Sequence, residues 1–276
     1  MQNQVNSVVD DAKREVTTSR RSRYHLGKIG RTLLIIYALQ LTLFALLAGW
    51  VYVHPVTTVD IAITQEFQEN LAPWLQTVMR IISYPGSSFL LPALVVLAAF
   101  AFWFLGLRLE ALVTVTLSIV SALLNAGIKI LVHRPRPTDG PVEVLQAAAG
   151  NSFPSGHVMA YLAFWGLLFS FGIILFQGWR WWRIALLIIP AFFVVMVGPS
   201  RIYLGAHWAS DVLGSYLIGG VLLGITLGIY LRLKERGVLE TERAKRRAEK
   251  YDALRTFPNR TTRAKSNQRQ SQSPPL

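Results

Sequence analysis

Cysteine is absent from the 276-residue chain, so disulfides, thiolate metal sites and cysteine nucleophiles are excluded. Charge is scarce as well. Charged residues make up 16% of the chain, where a soluble domain carries about a quarter. Acid is scarcer than base, with 15 Asp and Glu against 28 Lys and Arg, a formal net charge of +13. Such a balance can signal nucleic acid. Here the cations lie mostly before Leu33 and after Leu231, flanking long apolar blocks. Basic flanks around membrane spans follow from the positive-inside rule, so no nucleic-acid partner is predicted. What the chain has in abundance is hydrophobic residues, at 52%. The pattern predicts an all-α polytopic membrane helix bundle.

A span needs about 20 apolar residues. Six segments qualify: 33–53, 89–105, 109–132, 158–176, 184–198 and 212–231. The first begins only after a long polar lead and exceeds a signal-peptide core, so it is expected to be a retained span rather than a cleaved signal. The second and fifth are short and contain Pro92 and Pro190, which a bundle tolerates where neighbours satisfy the freed carbonyls. The stretch from Val59 to Ile82 has helical apolar spacing broken by Glu66, Glu69 and Arg80. It predicts one amphipathic helix lying at the interface.

The basic ends set the orientation. Residues 1–31 form a basic N-terminal tail and 234–276 a basic C-terminal tail, expected to be disordered from Pro258 onward. Six spans put both tails on one side, and their Lys and Arg content makes that side cytoplasmic. Arg108 and the "QGWRWWR" turn with Arg180 and Arg183 fall on the same side. Trp179, Trp181 and Trp182 of that turn read as an interfacial belt. The opposite face receives the amphipathic segment, the loop 133–157 and the short loop 200–207.

Most of the remaining polar chemistry is on those two loops. Lys129 ends the third span, and "ILVHRPRP" follows with His133, Arg134 and Arg136. "FPSGH" brings Ser155, Gly156 and His157 to the start of the fourth span. "SRIYLGAHWASD" brings Ser200, Arg201, His207 and Asp211 to the sixth. Cations, two histidines and one carboxylate at one surface suit an anion with several oxygens, and phosphate is the natural candidate. Arg136 and Arg201 can fork onto phosphoryl oxygens, with Lys129 as a point charge. Ser155 can cap the fourth span, whose freed N–H groups favour an anion, and Gly156 permits close approach.

His207 and Asp211 stand four residues apart, on one face if helical. Asp211 could then hold one imidazole nitrogen and leave the other nucleophilic. His157 has no carboxylate at that spacing and suits proton donation to a leaving oxygen. Blander readings stand beside these. A lone arginine at a span end usually snorkels to headgroups, and Arg134 is read that way. One His–Asp spacing alone is more often a structural hydrogen bond. A metal held by His157, His207 and Asp211 is conceivable, but no two histidines share a ligand-like helical spacing. The cations could also serve a transporter or lipid-binding protein.

Taken jointly, "KILVHRPRP", "PSGH" and "SRIYLGAHWASD" resemble the signature of the type 2 phosphatidic acid phosphatases, a superfamily shared with vanadium haloperoxidases and bacterial acid phosphatases. The motifs match in order over residues 129–211. The resemblance implies a phosphatase domain, taken as 32–233, and the orientation set by Lys and Arg puts its site on the extracytoplasmic face. It implies a catalytic trio of His207 as nucleophile, Asp211 as its support and His157 as acid and then base. Lys129, Arg136, Ser155, Gly156 and Arg201 would bind phosphate. No metal and no cofactor are expected. The implied partner is a membrane lipid phosphate or diphosphate: phosphatidic acid, phosphatidylglycerophosphate or a polyprenyl diphosphate. Arg134 and the loop 138–153 are the first places to look for headgroup selection. Transfer of the phosphoryl from His207 to an alcohol instead of water is the alternative enzyme reading.

Overall fold

A computed structural model of the chain describes residues 30–87, 89–175 and 181–239. Most of both basic tails, residues 176–180 with Trp179 and Arg180, and the side chains of Trp181, Trp182 and Arg183 lie outside the described residues, and with them the expected interfacial belt and the disorder from Pro258. Eight helices follow in order and no strand occurs among the described residues.

Helix α1, Gly30–Val53, is long and apolar, with most of its residues exposed and a half-buried stripe at Tyr37, Gln40, Phe44 and Leu47 turned to the bundle. It touches the bundle through Phe44, whose ring stacks on Phe153 at 5.7 Å. The segment expected as one amphipathic helix is instead two, α2 (Thr58–Phe67) and α3 (Pro73–Ser83). The physical reason is local. The Asn70 side chain accepts the Ala72 N–H at 3.0 Å, turning the chain, and Pro73 takes the first helical position where its missing N–H costs nothing.

Helix α4, Leu90–Phe104, has 15 residues. At about 1.5 Å per residue it falls short of the ~30 Å hydrocarbon core. Together with α3 and the turn Tyr84–Gly86 it forms a pair bent by 54°. Five helices are thus long and apolar enough to cross a membrane, and six if that pair is one broken span.

Helix α5, Arg108–Val132, crosses with length to spare. Two of its hydroxyls bond back along the helix, Thr114 to Glu110 O and Ser118 to Thr114 O at 2.8 Å each, which satisfies them in an apolar setting. It stops at His133, which takes a left-handed conformation with φ 48°, and Pro135 follows to prevent continuation. Helix α6, Gly156–Leu175, contains a π-helical turn at Leu162–Gly166. Its most apolar window is 56% buried, twice the 28% of α5, α7 and α8, so α6 is the central helix.

Helix α7, Trp181–Tyr203, carries Pro190 and Pro199. The proline at 199 withholds an N–H from Val195 O, and the Tyr216 hydroxyl donates into that gap, to Val194 O at 2.5 Å and Val195 O at 3.5 Å. Helix α8, Ala209–Glu235, closes the bundle.

Two apolar clusters hold these helices. Val158, Tyr161, Leu162, Val197, Ile202 and Val212 pack beneath the loops. Leu109, Val113, Leu117, Leu167, Phe171 and Tyr230 fill the far end. At that far end buried Glu110 takes Lys234 at 2.6 Å and the Tyr230 hydroxyl at 2.8 Å, tying α5 to α8.

Candidate active site

Four chain segments meet at the loop end of the bundle. Helix α5 delivers Lys129, the loop after it Arg136 and Ser152, the start of α6 His157, and the α7–α8 corner Arg201 from the end of α7, His207 from the turn and Asp211 from the start of α8. Gly205 makes that turn possible. Its φ is +63°, and a Cβ there would stand 2.1 Å from Glu143 O.

Asp211 sits in the first turn of α8, where a carboxylate is favoured by the free N–H groups and the dipole. Its Oδ2 accepts the Trp208 N–H at 2.9 Å, the Ser152 hydroxyl, and Nδ1 of His207 at 3.4 Å. Its Oδ1 accepts Arg134 at 2.7 Å. Ser152 Oγ also lies 3.3 Å from His207 Nδ1, so it can take the imidazole proton while giving its own to Asp211. Nδ1 of His207 therefore carries the proton, and Nε2 is the acceptor that meets Arg136 at 3.0 Å. Burial lowers the His207 pKa to about 3, against the opposing pull of Asp211. The ring is neutral at physiological pH, as a nitrogen nucleophile must be.

The cations are held by carbonyls. Arg136 donates from Nε to Ala149 O and Gly150 O, at 3.2 and 2.9 Å, and to Ala206 O at 2.7 Å. Burial lowers its pKa while Asp211 raises it. Lys129 clasps Asn151 reciprocally: its ammonium donates to Asn151 O, and Asn151 Nδ2 returns a bond to Lys129 O at 2.8 Å. Arg201 is 1% exposed and braced by Ser83 Oγ at 2.7 Å and Gln146 Oε1 at 3.0 Å, while its Nε has no partner among the described residues. Ser155 Oγ is also buried without a partner among the described residues. Ser155 precedes α6 in extended conformation, as expected for an N-cap, but its side chain makes no capping bond. Gly156 begins α6, whose first N–H groups lack helical partners.

His157 is half-buried with no hydrogen bond to either ring nitrogen from the described residues. Lys129, Arg136, Arg201 and His207 are all within electrostatic reach of it. Its imidazole packs on Gly86, where a Cβ would come within 2.4 Å of Cδ2.

Residues 109–235 match the family model described as the PAP2 superfamily. Phosphatidylglycerophosphatase B of Bacillus subtilis (strain 168) is 32% identical over 192 residues, 69% of this chain and 93% of that protein. The chain belongs to the PAP2 superfamily. A second PAP2 relative is YbjG of Escherichia coli (strain K12), provisionally named an undecaprenyl-diphosphatase. It is 29% identical over 153 residues, 54% of this chain and 70% of that protein. The crystal structure of a transmembrane PAP2 type phosphatidylglycerolphosphate phosphatase from Bacillus subtilis superposes with a TM-score of 0.61. The two share 27% identity, covering 71% of this chain and 96% of that one. This PAP2 chain is an integral membrane protein with multiple helical passes and a phosphoric ester hydrolase, and these homologues are lipid phosphatases.

All eight residues singled out from the PAP2 motifs reach this end of the bundle. Arg134 departs from its expected reading. It is 1% exposed and neither snorkels nor faces the headgroups, because its fork is consumed by Asp60 and Asp211. It cannot select a substrate head. Sequence reasoning missed Ser152, Ser83, Gln146 and Asp60. For Asp60 a signal existed: Thr57 and Asp60 have capping-box spacing, and Thr57 does cap α2. That signal pointed to a helix start and not to the site.

Proposed function

We infer that the chain hydrolyses the phosphomonoester or diphosphate of a membrane lipid through a phosphohistidine at His207. The observation that carries this reading is the His207 ring, with Nδ1 directed to Asp211 and Ser152 and Nε2 turned toward the cations. Nε2 attacks phosphorus, the bond to the lipid oxygen breaks in line, and His157 in its protonated form gives that oxygen a proton. Water then attacks the phosphoryl group, His157 takes its proton, and inorganic phosphate leaves as His207 is restored. Lys129, Arg136, Arg201, Ser155 and the Gly156 backbone hold the phosphoryl oxygens.

These cations take the charge-stabilising role that a divalent metal fills in other phosphatases, and the reaction is metal-independent. The names of the relatives point to phosphatidylglycerophosphate and undecaprenyl diphosphate as first substrates to try. The domain is 32–233, both tails, 1–31 and 234–276, are cytoplasmic, and the site opens at the outer leaflet. A panel of lipid phosphates and diphosphates, assayed in detergent with a chelator present, tests the reading. Phosphate release is expected. No release from any member, or release only after adding a divalent metal, would overturn it.

A further inference from the structure

Arg134 and Asp60 are buried charges beside the site, 1% and 3% exposed, that the proposed mechanism does not use. Arg134 Nη2 meets Asp60 Oδ2 at 2.6 Å, and Nη1 meets Asp211 Oδ1 at 2.7 Å. Its Nε donates to Pro55 O at 2.8 Å. Ser210, next to Asp211, accepts Arg134 at 2.6 Å and donates to Asp60 at 2.8 Å, while its N–H also bonds Asp60 at 2.9 Å. Asp60 is itself fixed by Thr57 at 2.8 Å. One guanidinium plane thus bridges two carboxylates, and every neighbouring donor and acceptor belongs to the same set.

Burying three ionic groups gives little net stability even when they are paired. Its value lies in geometry, because a planar fork bonded at both ends has no rotational freedom left. Asp211 Oδ1 is held by this fork, and its Oδ2 orients Nδ1 of His207. Asp60 lies on α2, well before the segment 109–235 that matches the PAP2 superfamily. Helix α2 therefore supplies a carboxylate to this site from outside the segment that matches the family model, about fifty residues before it.

We propose that Asp60 and Arg134 are positioning residues for the reaction: Asp60 fixes the Arg134 fork, the fork fixes Asp211, and Asp211 thereby keeps Nε2 of His207 aimed at phosphorus. This rests on His207 being the nucleophile. Neither residue touches the substrate, so their loss acts on turnover and leaves phosphate binding to Lys129, Arg136 and Arg201 intact.

The test is the near-isosteric Asp60→Asn in the full chain. The kcat falls about 10–100-fold, the scale for losing an outer partner of a working group. The KM and the inhibition constant of inorganic phosphate stay within about 2-fold. A second readout needs no lipid turnover: the rate at which diethyl pyrocarbonate modifies His207, followed by mass spectrometry, also falls in Asp60→Asn. Ser210→Ala, which keeps both ion pairs, shifts both readouts the same way by less, and serves if Asp60→Asn fails to fold. Wild-type kcat and wild-type His207 modification in the folded variants would overturn the proposal, as would a kcat loss matching only the lost folded fraction. If the wild-type protein released no phosphate from any lipid, the phosphatase reading would fail alone, and the modification rates would still decide this one.

Discussion

Arg136 stands 3.0 Å from Nε2 of His207, at the ring nitrogen opposite the one that faces Asp211. The imidazole is gripped from both ends, by an acid on one side and a guanidinium on the other. An incoming phosphoryl oxygen can take over the Arg136 hydrogen bond, which frees Nε2 as it brings phosphorus within reach.

Replacing His207 by alanine therefore removes the proposed attacking atom while leaving the cations in place. Turnover should drop by about 10²–10⁴-fold, the scale of losing a central catalytic group. The KM should change far less. Steady-state kinetics on purified protein in detergent checks this, and undiminished turnover would rule out His207 as nucleophile.

Gly86 offers a subtler probe of His157. A methyl group there would lie 2.4 Å from His157 Cδ2 and 2.8 Å from Tyr161 Cε2. Tyr161 is anchored to Ile82 O at 2.6 Å, so the histidine ring is the part that must move. Gly86→Ala should cut kcat by about 10²-fold through misplacement of the proposed proton donor. Thermal unfolding should stay close to wild type. Full activity in this variant would mean that His157 is not required where it stands.

Acid should destabilise the fold through His207. The folded protein protonates this ring only near pH 3, whereas the unfolded chain does so near its ordinary 6.5. The stability supplied by the neutral ring is complete above about pH 6.5 and drains away as pH falls toward about 3. Melting temperatures measured between about pH 7 and about pH 4 should decline, and His207→Asn, which cannot ionise, should flatten part of that decline. Identical slopes in the two proteins would contradict the buried neutral state.

Because the chain has no cysteine, a single one is a clean reporter of sidedness. Thr138 is exposed on the long loop. Thr138→Cys should react with an impermeant maleimide on intact cells. Labelling only after lysis would reverse the proposed orientation and place the site on the cytoplasmic side.

The helices were readable because lipid imposes a simple rule on every span, and the motif residues were readable because each sits at a span end. Less visible was anything that depends on meeting a distant segment. Arg134 looked like a surface cation until Asp60, 74 residues away, was found folded against it. Ser152 carries no local mark of its contact with His207, 55 residues on. The break between α2 and α3 was local and could have been read from Asn70 and Pro73. The apolar periodicity on both sides of it drew the two pieces into one.

The π-helical turn at Leu162–Gly166 gives α6 one residue more than a regular ladder would hold. Each residue of a helix advances the side chains by about 100°. The turn thus acts as a phase shifter between two halves of a single rod. Below it, Leu167 and Phe171 keep step with the far core, and above it His157 keeps step with the cations. Deleting one residue inside the turn would yield a straighter helix with every apolar contact below it preserved, and a histidine facing the wrong way.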